Sequence, residues 1–259
     1  MDEKKWGALL AAGVLLLAAG GYYLHQNKPP VVASEPEPAP VAPATPAPAP
    51  DYPVPAAQPD APPLPALTDS DEAFRTSLDD VLGAAPVEAF LIPDMLIRRV
   101  VATVDNLPRD RVALKLRPVK RTAGEFLVKR DDGRITLSAD NAARYAPLFA
   151  VIRAVDASRL VALYFRYYPL FQKAYQELGY PDRSFNNRLV EAIDNLLATP
   201  EPPGEIELVQ PKVIYEYADA NLEARSAGQK TLLRLSTEQR AAIKQQLGRV
   251  RALIVAAKP

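Results

Sequence analysis

Fifteen of the chain's 27 prolines fall between Pro29 and Pro65, a run of 37 residues that also holds Glu35, Glu37, Asp51 and Asp60 but no Lys or Arg. Proline fixes its own φ and has no N–H, so such a run can complete neither a helix nor a sheet ladder. It also lacks the apolar bulk to bury a core. This predicts a disordered, weakly acidic tether over residues 29–65, extended as polyproline II. At ~3.1 Å per residue, its reach is on the order of 100 Å. The run leaves a short leader before it and 194 residues after it, from Ala66 to Pro259, enough for one folded domain.

The leader contains Trp6 to Leu24, 19 residues without a charge and rich in Leu, Ala and Val. That length lets a helix cross a bilayer, with Trp6 at one interface and Tyr22 and Tyr23 at the other. Lys4 and Lys5 precede the span, whereas only Lys28 follows it before Arg75. The N-terminus is therefore expected in the cytoplasm and the rest of the chain outside it, with residues 1–28 as a single-pass anchor. A cleavable signal peptide is the competing reading, because Ala18-Ala19-Gly20-Gly21 offers small residues to a peptidase. Asp2 and Glu3 are foreign to a signal n-region, and the apolar run is long, which favours the anchor.

The chain has no cysteine, and its sole histidine, His25, belongs to the leader. Disulfides, thiol catalysis, histidine general bases and the common Cys- or His-ligated metal sites are excluded from the domain. No Gly-rich phosphate cradle or dinucleotide fingerprint occurs either, so no cofactor is expected.

From Thr68 the pattern turns helical. Phe74, Leu78, Val81 and Leu82 follow an acidic start, and a second periodic run goes from Val87 through Phe90 and, after Pro93, from Met95 to Val104, until Asn106-Leu107-Pro108 stops the helix. Arg109 to Lys120 has no clean period and reads as mostly extended chain or loop. Glu125 to Lys129 and Arg134 to Leu137 are β-prone and flank Asp132-Gly133, a hairpin signal. Tyr145 to Val155 and Leu160 to Leu178 carry helical stripes, the second containing Pro169, which is expected to kink or split it. Ser184 is placed to cap a helix ending before Pro200, and Ser236 with Gln239 forms a capping-box pattern for the last helix. Ile206 to Val209 and Val213 to Tyr215 read as short strands. The fold class is mainly α with a small β component, one hairpin plus short strands, in a single domain over 66–259.

The runs Tyr168-Pro-Leu-Phe-Gln-Lys-Ala-Tyr-Gln-Glu-Leu-Gly-Tyr-Pro181, Phe185-Asn-Asn-Arg-Leu-Val-Glu-Ala-Ile-Asp194, Ile206-Glu-Leu-Val-Gln-Pro211 and Ser226-Ala-Gly-Gln-Lys230 carry a resemblance. With Val104-Asp-Asn-Leu107 and the leader-plus-proline layout, they resemble a bacterial family known only as domain of unknown function 3014. The resemblance spans roughly Leu64 to Ile254. It implies a membrane-anchored envelope protein and supplies no catalytic residue.

Two features suggest a partner surface. Residues 66–97 hold seven acidic residues and one Arg, whereas residues 98–134 hold eleven basic residues and five acidic. Lys120, Arg121, Lys129, Arg130 and Arg134 of the second block could meet an anionic lipid or an acidic glycan, or else pair internally with Asp79, Asp80 and Glu88. Phe165 and Tyr168 fall off the face defined by Tyr164, Tyr167 and Phe171, so they are either covered by neighbouring helices or exposed to a partner. Catalysis would have to use carboxylates such as Glu205 with Glu207 or Glu191 with Asp194, or a Ser226–Lys230 pair.

The reading that follows is a binding or scaffold protein of the bacterial envelope, anchored in the inner membrane with its domain in the periplasm. Its partner would be an envelope protein, an anionic lipid or an acidic glycan, and not nucleic acid. The alternative is an envelope-glycan hydrolase or lyase that uses carboxylates.

Overall fold

The apolar spacings become nine α-helices and one four-stranded sheet among the residues that the computed structural model describes, 51–56, 61–111 and 113–258. The expected anchor and the tether as far as residue 50 lie outside the described residues. No helix among those described is long and apolar enough to cross a membrane.

Helices α1 (Asp71–Leu82) and α2 (Ala84–Phe90) lead into α3 (Leu96–Asn106). Asp71 caps α3 from the neighbouring helix: its carboxylate accepts the N–H groups of Met95 at 2.6 Å and Leu96 at 2.8 Å, donors a helix start leaves without partners. The stretch from Arg109 to Lys120 is a loop, as expected, with one 3₁₀ turn at Leu114–Leu116. After the hairpin come α4 (Asn141–Arg153), α5 (Ala157–Glu177), α6 (Phe185–Leu197), the short α7 (Ala220–Glu223) and α8 (Ala227–Leu232), and finally α9 (Thr237–Ala256). Helix α3 packs on α5 and α6, α9 packs on α4, α5 and α6, and α1 closes one side against α3 and α5. The buried stripes of these helices, among them Val104, Phe171, Ile193 and Ile254, form one continuous core.

Pro169 does not divide α5, which runs unbroken through it. The ring lies on the exposed side of the helix, where the backbone can bow outward. Buried Tyr167, Leu170, Phe171 and Ala174 on either side of it hold both halves to the same core. Pro147 is accommodated inside α4 as well.

The hairpin pairs β1 (Val128–Asp131) with β2 (Arg134–Leu137) through a two-residue turn, Asp132 at φ 44° and Gly133 at φ 78°. Two positive φ values give the turn twist that suits a tight hairpin. Strands β3 (Glu207–Val209) and β4 (Glu216–Tyr217) extend it into an antiparallel meander of order β1-β2-β3-β4. The fourth strand begins one residue after the predicted run ends. The sheet closes a second, smaller cluster in which Leu208 and Tyr217 meet Leu222 and Leu233.

Helix α8 locks onto α3 and α6 at Gly228, whose N–H donates to the Leu107 carbonyl at 3.0 Å. A Cβ there would lie 2.6 Å from Leu196 Cδ2 and 3.0 Å from the Leu107 carbonyl oxygen. Leu107 and Leu196 are themselves fully buried and have nowhere to move. Gly228→Ala is therefore expected to destabilise the protein by about 1–3 kcal/mol, against the gain in helix propensity that the same change gives at an open site. Urea titration measures it; a stabilised variant would show that this contact is not tight.

Candidate functional site, a polar cleft on helix α6

Helix α6 has two faces. Phe185, Leu189, Ala192, Ile193 and Leu196 point into the core, while the adjacent Asn187 and Arg188, with Glu191 and Asp194 one and two turns on, lie along the other face. Ser184 starts the helix as expected, its Oγ accepting the Asn187 N–H at 3.3 Å. The outward face forms one wall of an open cleft of about 490 Å³. The loop 182–184 forms its rim, Tyr175 of α5 contributes to its floor, and Asp51 with Tyr52 lie across it.

Beneath the cleft is a buried charge network. The Asp105 side chain, 6% exposed at the end of α3, accepts Arg188 Nε at 3.0 Å and Arg109 Nη2 at 2.9 Å. Arg188 also donates Nη2 to the Asp105 carbonyl and pairs through Nη1 with Glu191 at 2.7 Å. The Tyr180 hydroxyl accepts from Arg109 at 2.6 Å, and its ring stacks on Tyr175 at 4.6 Å. Burial, with a further contribution from the Asp105 charge, holds the Tyr175 phenol above its usual pKa. Two guanidinium groups and the Tyr180 hydroxyl, which donates to Asp105 Oδ2 at 3.3 Å, converge on one carboxylate and tie α3 and α6 to the chain that follows α5.

Two asparagines at the start of α6 bind the main chain of the proline-rich stretch. Asn187 Oδ1 accepts the Tyr52 N–H at 3.1 Å, and its Nδ2 donates to Asp51 Oδ2 at 3.1 Å. Asn186, which is wholly buried, donates Nδ2 to the Tyr52 carbonyl at 3.0 Å. Its Oδ1 accepts the Tyr164 hydroxyl at 2.9 Å. Burial pushes the Tyr164 phenol well above its usual pKa, so it remains a donor and fixes which end of the Asn186 amide faces Tyr52. The Tyr52 ring packs against the main core. A second piece of the stretch is seated on α5, where Leu64 packs on the core and Arg166 donates to the Pro62 carbonyl.

The residues expected to form a partner surface are separated. Lys129, Arg130 and Arg134 are exposed on β1 and β2, each with a neighbour: Lys129 with Glu205 at 3.6 Å, Arg130 with the Tyr215 hydroxyl at 2.8 Å, and Arg134 Nε with Glu207 Oε1 at 2.6 Å. Lys120 donates to the Glu88 carbonyl at 2.6 Å, and Arg121 is exposed on the following loop. Asp79 pairs with Arg75 rather than with the basic block. Phe165 and Tyr168 are half-buried against the main core, and the Tyr168 hydroxyl donates to Gln172 Oε1 at 3.0 Å.

The carboxylates considered for catalysis are held by cations and open to water. Glu205 and Glu207 pair across the sheet as above, Glu191 pairs with Arg188, and Asp194 with Arg251, at side-chain exposures of 45–61%. Ser226 is a cap: its Oγ accepts the Gln229 N–H and donates to Asn195 Oδ1 at 2.7 Å, while Lys230 pairs with Glu223 at 2.8 Å.

Sequence reasoning passed over Asp105, Arg109, Asn186, Asn187 and Tyr52. Their one signal was location, since Tyr52 is the only aromatic residue of the proline-rich stretch. Asp105, Asn186, Asn187 and Arg188 all lie in the runs that carry the family resemblance. A family model described as "Protein of unknown function (DUF3014)" matches residues 96–251, more than half of the chain. No curated protein and no solved structure matches it.

Proposed function

The chain belongs to the DUF3014 family, and on that premise we propose that it is a membrane-anchored binding or scaffold protein of the bacterial envelope, whose periplasmic domain engages its partner at the α6 cleft. The observation that carries this reading is the pair of asparagines, Asn186 buried and Asn187 lining an open polar cleft, that together hold the main chain of one residue of a distant segment. Acid–base chemistry on a glycan needs two carboxylates in unlike surroundings, one of them shielded from water. The carboxylates along α6 are instead exposed and ion-paired. The exposed cations of the hairpin, Lys129, Arg130 and Arg134, supply a second contact, suited to an anionic lipid or an acidic glycan.

Two measurements test this. Reporter fusions after Lys28 and after Pro259 should be active only in the exported compartment; a cytoplasmic signal from either overturns the topology. A photo-crosslinking amino acid at Asp182, on the cleft rim, should form adducts with an envelope component in living cells. The same probe at the exposed Glu238 should not. Equal labelling from both positions, or none from Asp182, removes the cleft from the function.

A further inference from the structure

We infer that the Asn186–Asn187 end of the α6 cleft is an exchangeable peptide-binding site, that its ligand is a carboxylate–aromatic–proline segment, and that the chain's own Asp51-Tyr52-Pro53 is seated there in cis, lining the open cleft beside it. The inference rests on the reading of the cleft as the binding site and adds to it the class of ligand and a built-in competitor.

The contacts define what the site accepts. Asn187 takes an N–H, and Asn186 gives a hydrogen to a C=O, of one and the same residue, so the site reads a main-chain unit, here at a bend of the chain. The reading residue cannot be proline, because an N–H is required at Asn187. Tyr52 meets that requirement, whereas Pro50 and Pro53 on either side of the Asp51-Tyr52 pair could not. Asn187 Nδ2 adds a contact to the preceding carboxylate, Asp51, and the apolar core beside the cleft receives the ring. Pro53 narrows the backbone range of Tyr52 before any contact forms, so less backbone freedom remains to be lost on docking. Asn186 Nδ2 is buried and needs an acceptor, and the Tyr52 carbonyl supplies it.

The same geometry makes the occupant replaceable. Three hydrogen bonds and one ring hold residues 51 and 52, and the chain is held again at Pro62 and Leu64, so another segment that supplies the same N–H, C=O and ring can take their place while the helices keep their own packing. A ligand attached by a short linker competes at an effective concentration on the order of millimolar. An added peptide must overcome that competition in the resting protein, and does not face it once the cis segment is disabled.

The test uses the full-length protein in detergent and a fluorescent peptide copying residues 47–56, with the same peptide carrying proline in place of its tyrosine as control. Tyr52→Pro removes both the N–H and the ring of the cis segment. It is expected to bind the native peptide at least tenfold more tightly than the wild type does, and not to bind the control. Adding Asn187→Ala to Tyr52→Pro should weaken the peptide at least tenfold. A Tyr52→Pro protein with wild-type circular dichroism that fails to bind the peptide, or binds it unchanged after Asn187→Ala, overturns the inference. If Tyr52→Pro does not fold, hydrogen exchange at the Tyr52 amide of the wild type decides: it should quicken as millimolar peptide is added, and unchanged exchange refutes exchangeability. Crosslinks from Asp182 to a glycan or lipid together with no peptide binding would leave the cleft as the binding site and discard only its peptide ligand.

Discussion

Arg188→Met is expected to destabilise the domain by about 3–5 kcal/mol, because it leaves the Asp105 carboxylate buried without its principal partner. Asp105 is 6% exposed and Arg188 13%, whereas Arg109, the remaining cation, is 45% exposed and gives a weaker, more screened interaction. The variant also removes the donor to the Asp105 carbonyl. Arg188→Lys should recover only part of the loss, since one ammonium cannot reach the carboxylate, the carbonyl and Glu191 at once. Asp105→Leu combined with Arg188→Met should be more stable than Arg188→Met alone, as removing both charges removes the uncompensated one. Urea midpoints at constant slope measure all three; a loss below about 1 kcal/mol for Arg188→Met would mean that the network is hydrated and contributes little.

Periodic burial was legible from the chain itself. The stripes of α1, α4, α5, α6 and α9 and the Asp-Gly hairpin all follow from spacing and turn chemistry, because each is decided by residues within one or two turns of each other. Pro169 shows the limit of local rules, as its effect on α5 was set by which side of the helix faces the core. Ser226 shows a second limit. Ser226-x-x-Gln229 is the same capping pattern as Ser236-x-x-Gln239, yet the short helix behind it has no long apolar stripe to announce it, and Lys230 at one turn's distance suggested chemistry instead.

The cleft was not legible for a different reason. Its contacts join residues 83 and more than 130 positions apart, Asp105 with Arg188 and Tyr52 with Asn186 and Asn187. Nothing in local periodicity distinguishes an outward-facing asparagine that binds a distant main chain from one that meets only water. The basic block was visible as composition, but its partners, Glu207 on β3 and Glu205 just before it, come from a segment that no charge count could have placed beside it.

Phe185→Ala is the second large expected effect, a loss of about 3–5 kcal/mol and a fall in Tm on the order of 10 °C. The ring is 1% exposed and stacks on Phe171 at 5.7 Å, with Tyr175 at 5.6 Å and Tyr164 at 6.4 Å. It also lines a partly open apolar pocket of about 80 Å³ among Phe74, Leu78, Leu189 and Ile254. Truncation joins the volume of the lost ring to that space, and the surrounding rings are already held by Asn186, the core and one another, so collapse is incomplete and the cavity adds to the transfer cost. An enlarged apolar cavity stays dry and accepts small apolar molecules. Benzene should therefore raise the Tm of Phe185→Ala and leave the wild type unchanged, because a ligand that binds only the folded state stabilises it. A loss below about 1.5 kcal/mol with no benzene effect would mean that Tyr164 and Phe171 close over the gap. The start of α6, and with it the placement of Asn186 and Asn187, would then rest on the Asp105–Arg188 network rather than on the aromatic core.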